Sequence, residues 1–156
     1  MTPLYLDDLY VGQRFTSATR TLDWQTMLRF AQEWDPQPFH LDEAAARNSF
    51  FAGLAGSGWF TAAVTMRLLV DGGLPLACGI IGTGGELLWT KPTRPGDTLH
   101  VETEILEIVP SRSKPDRGMV LVRCITMNQN SETVQSFTPR LVVFRRPAPD
   151  VSLRGA

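Results

Sequence analysis

The chain has two histidines, and only one of them stands where acid–base chemistry could be built around it. His40 follows Asp35 by five residues in Asp35-Pro36-Gln37-Pro38-Phe39-His40. A carboxylate and an imidazole held together can take a proton from water and return it elsewhere. The prolines stiffen the segment that would hold them. On spacing alone Asp35 also suits a turn, and His40 an ordinary loop position. His100 lies in a strand-like run beside Glu102 and Glu104, so a solvated face is expected of it rather than chemistry. Ser57 precedes Gly58 at the head of an apolar run. It has no Gly-x-Ser-x-Gly setting and suits a helix N-cap better than a nucleophile. That helix start would offer unpaired backbone N–H groups and a positive dipole end, either of which can hold a developing oxyanion. Cys78 and Cys124 both fall in apolar, strand-like contexts without metal-ligand spacing. Arg112, Lys114 and Arg117 lie in the polar run 111–118, which could contact phosphate or be a solvated hairpin turn.

These groups need a scaffold, and the hydrophobic pattern supplies one. Asp23 suits an N-cap for a helix carrying Met27, Leu28, Phe30, Ala31 and Trp34, which Pro36 and Pro38 must stop. A short helix is expected over 42–48. A longer one starts after Ser57, with Trp59, Ala62, Ala63, Met66, Leu69 and Val70 expected as its buried face, Ala62 and Ala63 at the centre, and Gly72-Gly73 as its end. From Ile80 the apolar period becomes two. The parity slips after Ile105, as a bulge would require. Residues 119–127 suit a central strand, and Pro139 argues for an edge or a bulge in the last strand, 134–144. Helices first and strands second, with short turns, indicate an α+β fold in which an antiparallel sheet curls around the long helix.

Composition narrows the function classes. The 156 residues carry 15 Lys plus Arg against 16 Asp plus Glu, too little basic excess for a nucleic-acid binder. A 43% hydrophobic content suits one well-packed domain, expected over 1–146, with a poorly ordered tail at 147–156. Two cysteines are too few for a disulfide framework and fit a reduced, cytoplasmic setting. The first residues lack the basic-then-apolar pattern of a secretory signal, and the apolar run 59–70 is interrupted by Arg67 and is too short to span a bilayer. Two distant histidines without clustered partners argue against a catalytic metal.

Four ordered blocks carry a resemblance: FAQEWDPQPFHLDEAAA at 30–46, SGWFTAAVTMRLLVD at 57–71, KPTRPGDTL at 91–99 and PSRSKPDRG at 110–118. Together they resemble the MaoC-type acyl dehydratases, hotdog-fold relatives of (R)-specific enoyl-CoA hydratases, from about Leu6 to Arg146. The resemblance implies a hotdog domain, with a curved antiparallel sheet around a central helix and an Asp–His segment overhanging it. The family's aspartate and histidine fall on Asp35 and His40, and the glycine opening its central helix falls on Gly58. The implied activity is reversible hydration of trans-2-enoyl thioesters, or dehydration of (R)-3-hydroxyacyl thioesters, without metal or redox cofactor. Asp35 and His40 would share a water, either serving as the base, while the Gly58 amide polarises the thioester oxygen. Gln37, Phe39, Ser57 and Trp59 are expected to bind the acyl thioester, and Arg112, Lys114 and Arg117 the phosphates of CoA. A homodimer or dimer of dimers is implied, with the cleft at a subunit interface. The chain differs from the hydratase pattern at Trp34, Gln37, Phe39 and Met66, which implies a differently shaped acyl pocket. An acyl-CoA thioesterase on the same fold is the enzymatic alternative, but residues 59–70 hold none of the carboxylates such enzymes commonly place there. A non-catalytic binding subunit is the alternative of another class, and the intact Asp35 and His40 argue against it.

Overall fold

A computed structural model describes residues 2–147. Short strands β1 (Arg14–Thr16) and β2 (Arg20–Thr21) lead into helix α1 (Trp24–Trp34). The Asp23 carboxylate caps α1 by accepting from the Thr26 N–H at 2.8 Å. Pro36 ends it by forcing Asp35 out of helical geometry, at φ −151° and ψ 65°. Two short helices follow, α2 (Pro38–Leu41) and α3 (Glu43–Arg47), the latter capped by Asp42. Helix α4 (Gly58–Leu68) is capped by Ser57, whose Oγ accepts from the Trp59 N–H at 3.2 Å. It closes in a wider π turn at Leu69–Gly73, where Gly72 takes φ 136°.

The remaining strands are β3 (Ile81–Trp89), β4 (Thr98–Pro110), β5 (Arg117–Met127) and β6 (Thr133–Phe144). They form one antiparallel sheet in the order β1-β4-β5-β6-β3, with β2 also on β4. The parity slip after Ile105 is a register shift between Ile105 and Glu107. Inward residues of the sheet, Leu99, Val101, Val120, Val122 and Leu141, are sealed against Phe60, Val64 and Leu68 of α4. This is the hotdog architecture, an α+β fold in which the curved sheet wraps the helix. A polar cluster lies inside it. Thr65 Oγ1 sits 2.7 Å from Thr126 Oγ1 and accepts from Gln135 Nε2 at 3.0 Å, while Gln135 Oε1 accepts from Trp89 Nε1 at 3.0 Å.

Three expectations are corrected. The buried residues of α4 are Phe60, Thr61, Val64, Thr65 and Leu68, whereas Trp59, Ala63, Met66 and Val70 are exposed and Ala62 is half-buried. The helix is apolar nearly all round, so spacing along it does not show which stripe meets the sheet. Strand β6 is interior, paired on both sides. Pro139 is tolerated because the β5–β6 pairing lapses between Arg140 and Phe137, while on the β3 side Pro139 opposes Gly85, where a Cβ would come within 2.7 Å of its backbone. The edge strand beside it is β3, which bulges between Gly82 and Gly84, whereas the bulge of β6 itself lies at its start, where Gln135 opposes Thr126 and Thr133 opposes Met127, and not at Pro139. Cys78 is exposed in the turn before β3 rather than in a strand. The tail expected from 147 onward falls, after its first residue, outside the described residues.

Candidate active site

His40 is not a loop residue: Pro38 starts the single turn of α2, and the imidazole beneath it is 5% exposed. Its Nδ1 lies 2.8 Å from the Ala55 carbonyl, which can only accept, so Nδ1 carries a hydrogen. The edges of Phe39 and the tilted ring of Phe51 hold the imidazole from the sides. Nε2 then faces Asp35 Oδ2 at 3.3 Å. Asp35 is placed by the C-terminus of α1, and its other oxygen accepts from Gln37 Nε2 at 2.7 Å. Burial would raise the Asp35 carboxyl, but the hydrogen bonds from the Ser57 hydroxyl and the Gln37 amide oppose it, and the carboxyl is held below its usual range.

The pair overhangs a cleft of about 430 Å³ at the start of α4, walled by Phe39, Phe50, Phe51, Trp59 and Trp89. Gly58 lines its floor, and as the first residue of α4 its N–H has no intrahelical acceptor. A Cβ on Gly58 would meet the Trp89 ring at 2.6 Å, so the close approach of that indole requires glycine. Thus Asp35, Gln37, Phe39, His40, Gly58 and Trp59 line one cleft, with Ser57 buried behind it. Arg112, Lys114 and Arg117 do not join them. They flank the β4–β5 turn, at the far end of β4 from Thr98, and Arg117 pairs with Asp116 and lies over the Phe144 ring. His100 is a half-buried strand residue opposite Met127, away from the cleft lining.

Several residues of the site carried no signal of their own. Arg94 donates from Nη1 to the Gly53 and Leu54 carbonyls and from Nη2 to the Phe51 carbonyl, at 2.6–2.8 Å. It thereby fixes the segment whose next carbonyl, that of Ala55, orients His40. Gly56 N–H donates to the Thr93 carbonyl at 2.8 Å, and Thr93 Oγ1 lies 3.0 Å from Thr61 Oγ1. Arg94 and Thr93 stood in the KPTRPGDTL block, but partners about 40 residues away in sequence are invisible to local spacing. Burial pushes the Cys124 thiol up to about 12, which removes it as a nucleophile. Among the described residues no three His, Cys, Asp or Glu side chains cluster to hold a metal, and no helix is long and apolar enough to cross a membrane.

The curved sheet wrapped on α4, with an Asp–His pair above the start of the helix, is a hotdog domain. Residues 10–126 match the MaoC like domain, and the chain belongs to the MaoC-like dehydratase family. It is similar to the crystal structure of the MaoC-like dehydratase from Rhodospirillum rubrum, at 61% identity and TM-score 0.92, covering 93% of this chain and 99% of that one. The unliganded R-hydratase PhaJ1 of Pseudomonas aeruginosa superposes with TM-score 0.73 at 26% identity, over 97% of each chain. The uncharacterized protein YdeM of Bacillus subtilis (strain 168) is 32% identical over 130 residues, 83% of this chain and 91% of its own length.

Proposed function

We propose that the protein reversibly hydrates trans-2-enoyl thioesters to (R)-3-hydroxyacyl thioesters, with acyl-CoA as substrate. The observation that carries this is the geometry between His40 and Asp35. With Nδ1–H given to the Ala55 carbonyl, Nε2 is the ring atom left to accept in the unprotonated imidazole, and it faces the Asp35 carboxylate. Two acceptors that converge take a donor with two hydrogens, and a water molecule fits that description. In hydration, the water oxygen bonds to Cβ as its proton passes to His40 Nε2, while Asp35 holds the second hydrogen. The π electrons move to Cα and the thioester oxygen, where the free Gly58 N–H takes up the developing charge. The proton is then returned to Cα. Water is the only co-reactant, so this reading calls for neither a metal nor a redox carrier, and it fits a cytoplasmic enzyme of fatty acid metabolism.

The uncovered apolar stripe of α4, continuous with the open edge of β3, supports a homodimer or dimer of dimers that brings a second copy over it. Light scattering at micromolar concentration should give at least twice the 17.3 kDa chain mass, and a monomeric mass would refute the assembly. The activity is tested by loss of the conjugated enoyl-thioester absorbance on adding protein to 2-butenoyl-CoA. Hydration that Asp35→Asn abolishes is expected. A wild-type protein inert toward enoyl thioesters of every chain length would overturn the reading.

A further inference from the structure

Beyond the cleft lies a second cavity, of about 360 Å³, between α4 and strands β3 and β6. Its lining is mostly apolar, with Ala62, Met66, Leu69, Leu87 and Phe137 suited to a hydrocarbon chain and Thr65 and Gln135 the polar members. The two spaces share Trp59, which lines both, and Trp89 stands beside it on the cleft side. The indoles meet edge to face, with centroids 5.2 Å apart and planes at 82°. Trp89 is held by more than packing. Its Nε1–H is bonded to Gln135, which is bonded to Thr65, which contacts Thr126, and these three side chains are at most 1% exposed. A fully partnered buried chain of this kind fixes a rotamer. The ring lies where a Cβ of Gly58 would stand, beside the residue whose N–H would hold the thioester oxygen.

We infer that Trp89, fixed by Gln135 and completed by Trp59, is a specificity-determining wall that closes the cleft to long acyl tails and selects short acyl thioesters. A chain anchored at Gly58 meets the indoles within a few carbons of the carbonyl, and the apolar cavity behind them stays out of its reach. This rests on the hydratase reading only for the class of ligand, and binding of saturated thioesters tests it without turnover. Each methylene taken into an apolar cavity tightens binding about fourfold. Butanoyl-, hexanoyl-, octanoyl- and decanoyl-CoA should therefore bind the wild-type protein with an affinity that plateaus after the shortest members. Trp89→Ala should restore the climb and raise decanoyl-CoA affinity on the order of 10- to 100-fold, with butanoyl-CoA changed severalfold at most. Trp59→Ala, which leaves the Gln135 network whole, should do the same to a smaller extent and serves if Trp89→Ala does not fold. A wild-type affinity that climbs about fourfold per methylene through decanoyl-CoA would overturn the wall. So would a plateau unchanged in the folded variants, or the absence of binding to all four thioesters. If the plateau and its release appear while 2-butenoyl-CoA is not hydrated, the wall stands and the catalytic reading falls.

Discussion

At its N-terminus, α4 meets Asp35, His40 and the segment fixed by Arg94 through directed hydrogen bonds, among groups that reach an open cleft. Along its inner flank the same helix meets β4 and β5 through Leu99, Val101 and Val122, all 0% exposed, with no direction to their contacts at all. The first region is organised by where atoms point and the second by how much area is removed from water. Damage to the first should therefore misplace chemistry in a protein that still folds. Damage to the second should unfold a protein whose remaining folded molecules still work.

The largest break in that contrast is expected from the pair itself. Asp35→Asn keeps the shape and should lower kcat for 2-butenoyl-CoA hydration by about 10²–10⁴-fold, with unfolding free energy within about 1 kcal/mol of wild type. His40→Ala should lose as much activity. It should also lose about 1–3 kcal/mol of stability, because it orphans the Ala55 carbonyl and opens space between Phe39 and Phe51. The double variant should be no slower than the worse single one, since both groups hold the same water.

On the other flank, Leu99→Ala should cost about 2–5 kcal/mol in denaturant unfolding while kcat, measured where the variant is folded, stays within about twofold. Arg94→Gln sharpens the boundary between the regions, because it acts on chemistry at one remove. Losing the guanidinium frees the carbonyls of Phe51, Gly53 and Leu54, and kcat should fall roughly 10-fold with KM less affected, as a misoriented His40 would dictate. Arg94→Lys should recover only part of this, since an ammonium cannot span three carbonyls as a guanidinium does.

The smallest effect concerns acid. The Asp35 carboxyl is held below its usual range, so its ionised form contributes stability that is fully present above the unfolded-state value of about 3.9. That contribution is lost as pH falls through the lowered folded-state value. The stability difference between wild type and Asp35→Asn should accordingly shrink on acidification. A difference that grew instead would mean that burial, not the Ser57 and Gln37 contacts, dominates at this carboxyl.

Local rules made much of this legible. Asp23, Pro36, Ser57 and the Gly72 turn delimit α1 and α4 because capping and proline geometry act within a few residues. The slip after Ile105 was visible because strand side chains alternate strictly. Residue type and the stiffened spacing singled out Asp35 and His40 but left them open between a turn and a site, and it was the resemblance over four ordered blocks that pointed to them and to Gly58 together. What stayed hidden was relational. Which stripe of α4 is covered depends on partners far away in sequence, and an all-round apolar helix offers no polar face to decide it. Trp89 reads as one more strand residue until Gln135, 46 positions on, is seen to hold it. Arg94 looks like a solvated turn residue until its three carbonyls are found. The burial of His40 was missed for the same reason: a four-residue helix leaves no period, yet it places the ring beneath Pro38 instead of at the surface.

The contrast between the two thiols has a practical side. Cys124 is sealed in the sheet and stays protonated, whereas Cys78 is exposed in the turn just before β3. Maleimide conjugation proceeds through a thiolate that the reagent can reach. The unmutated chain therefore offers a single attachment point for a fluorophore, beside the strand that closes the sheet on one side. A dye placed there would register by its anisotropy whatever comes to lie along β3, with no engineered cysteine and no change to the cleft.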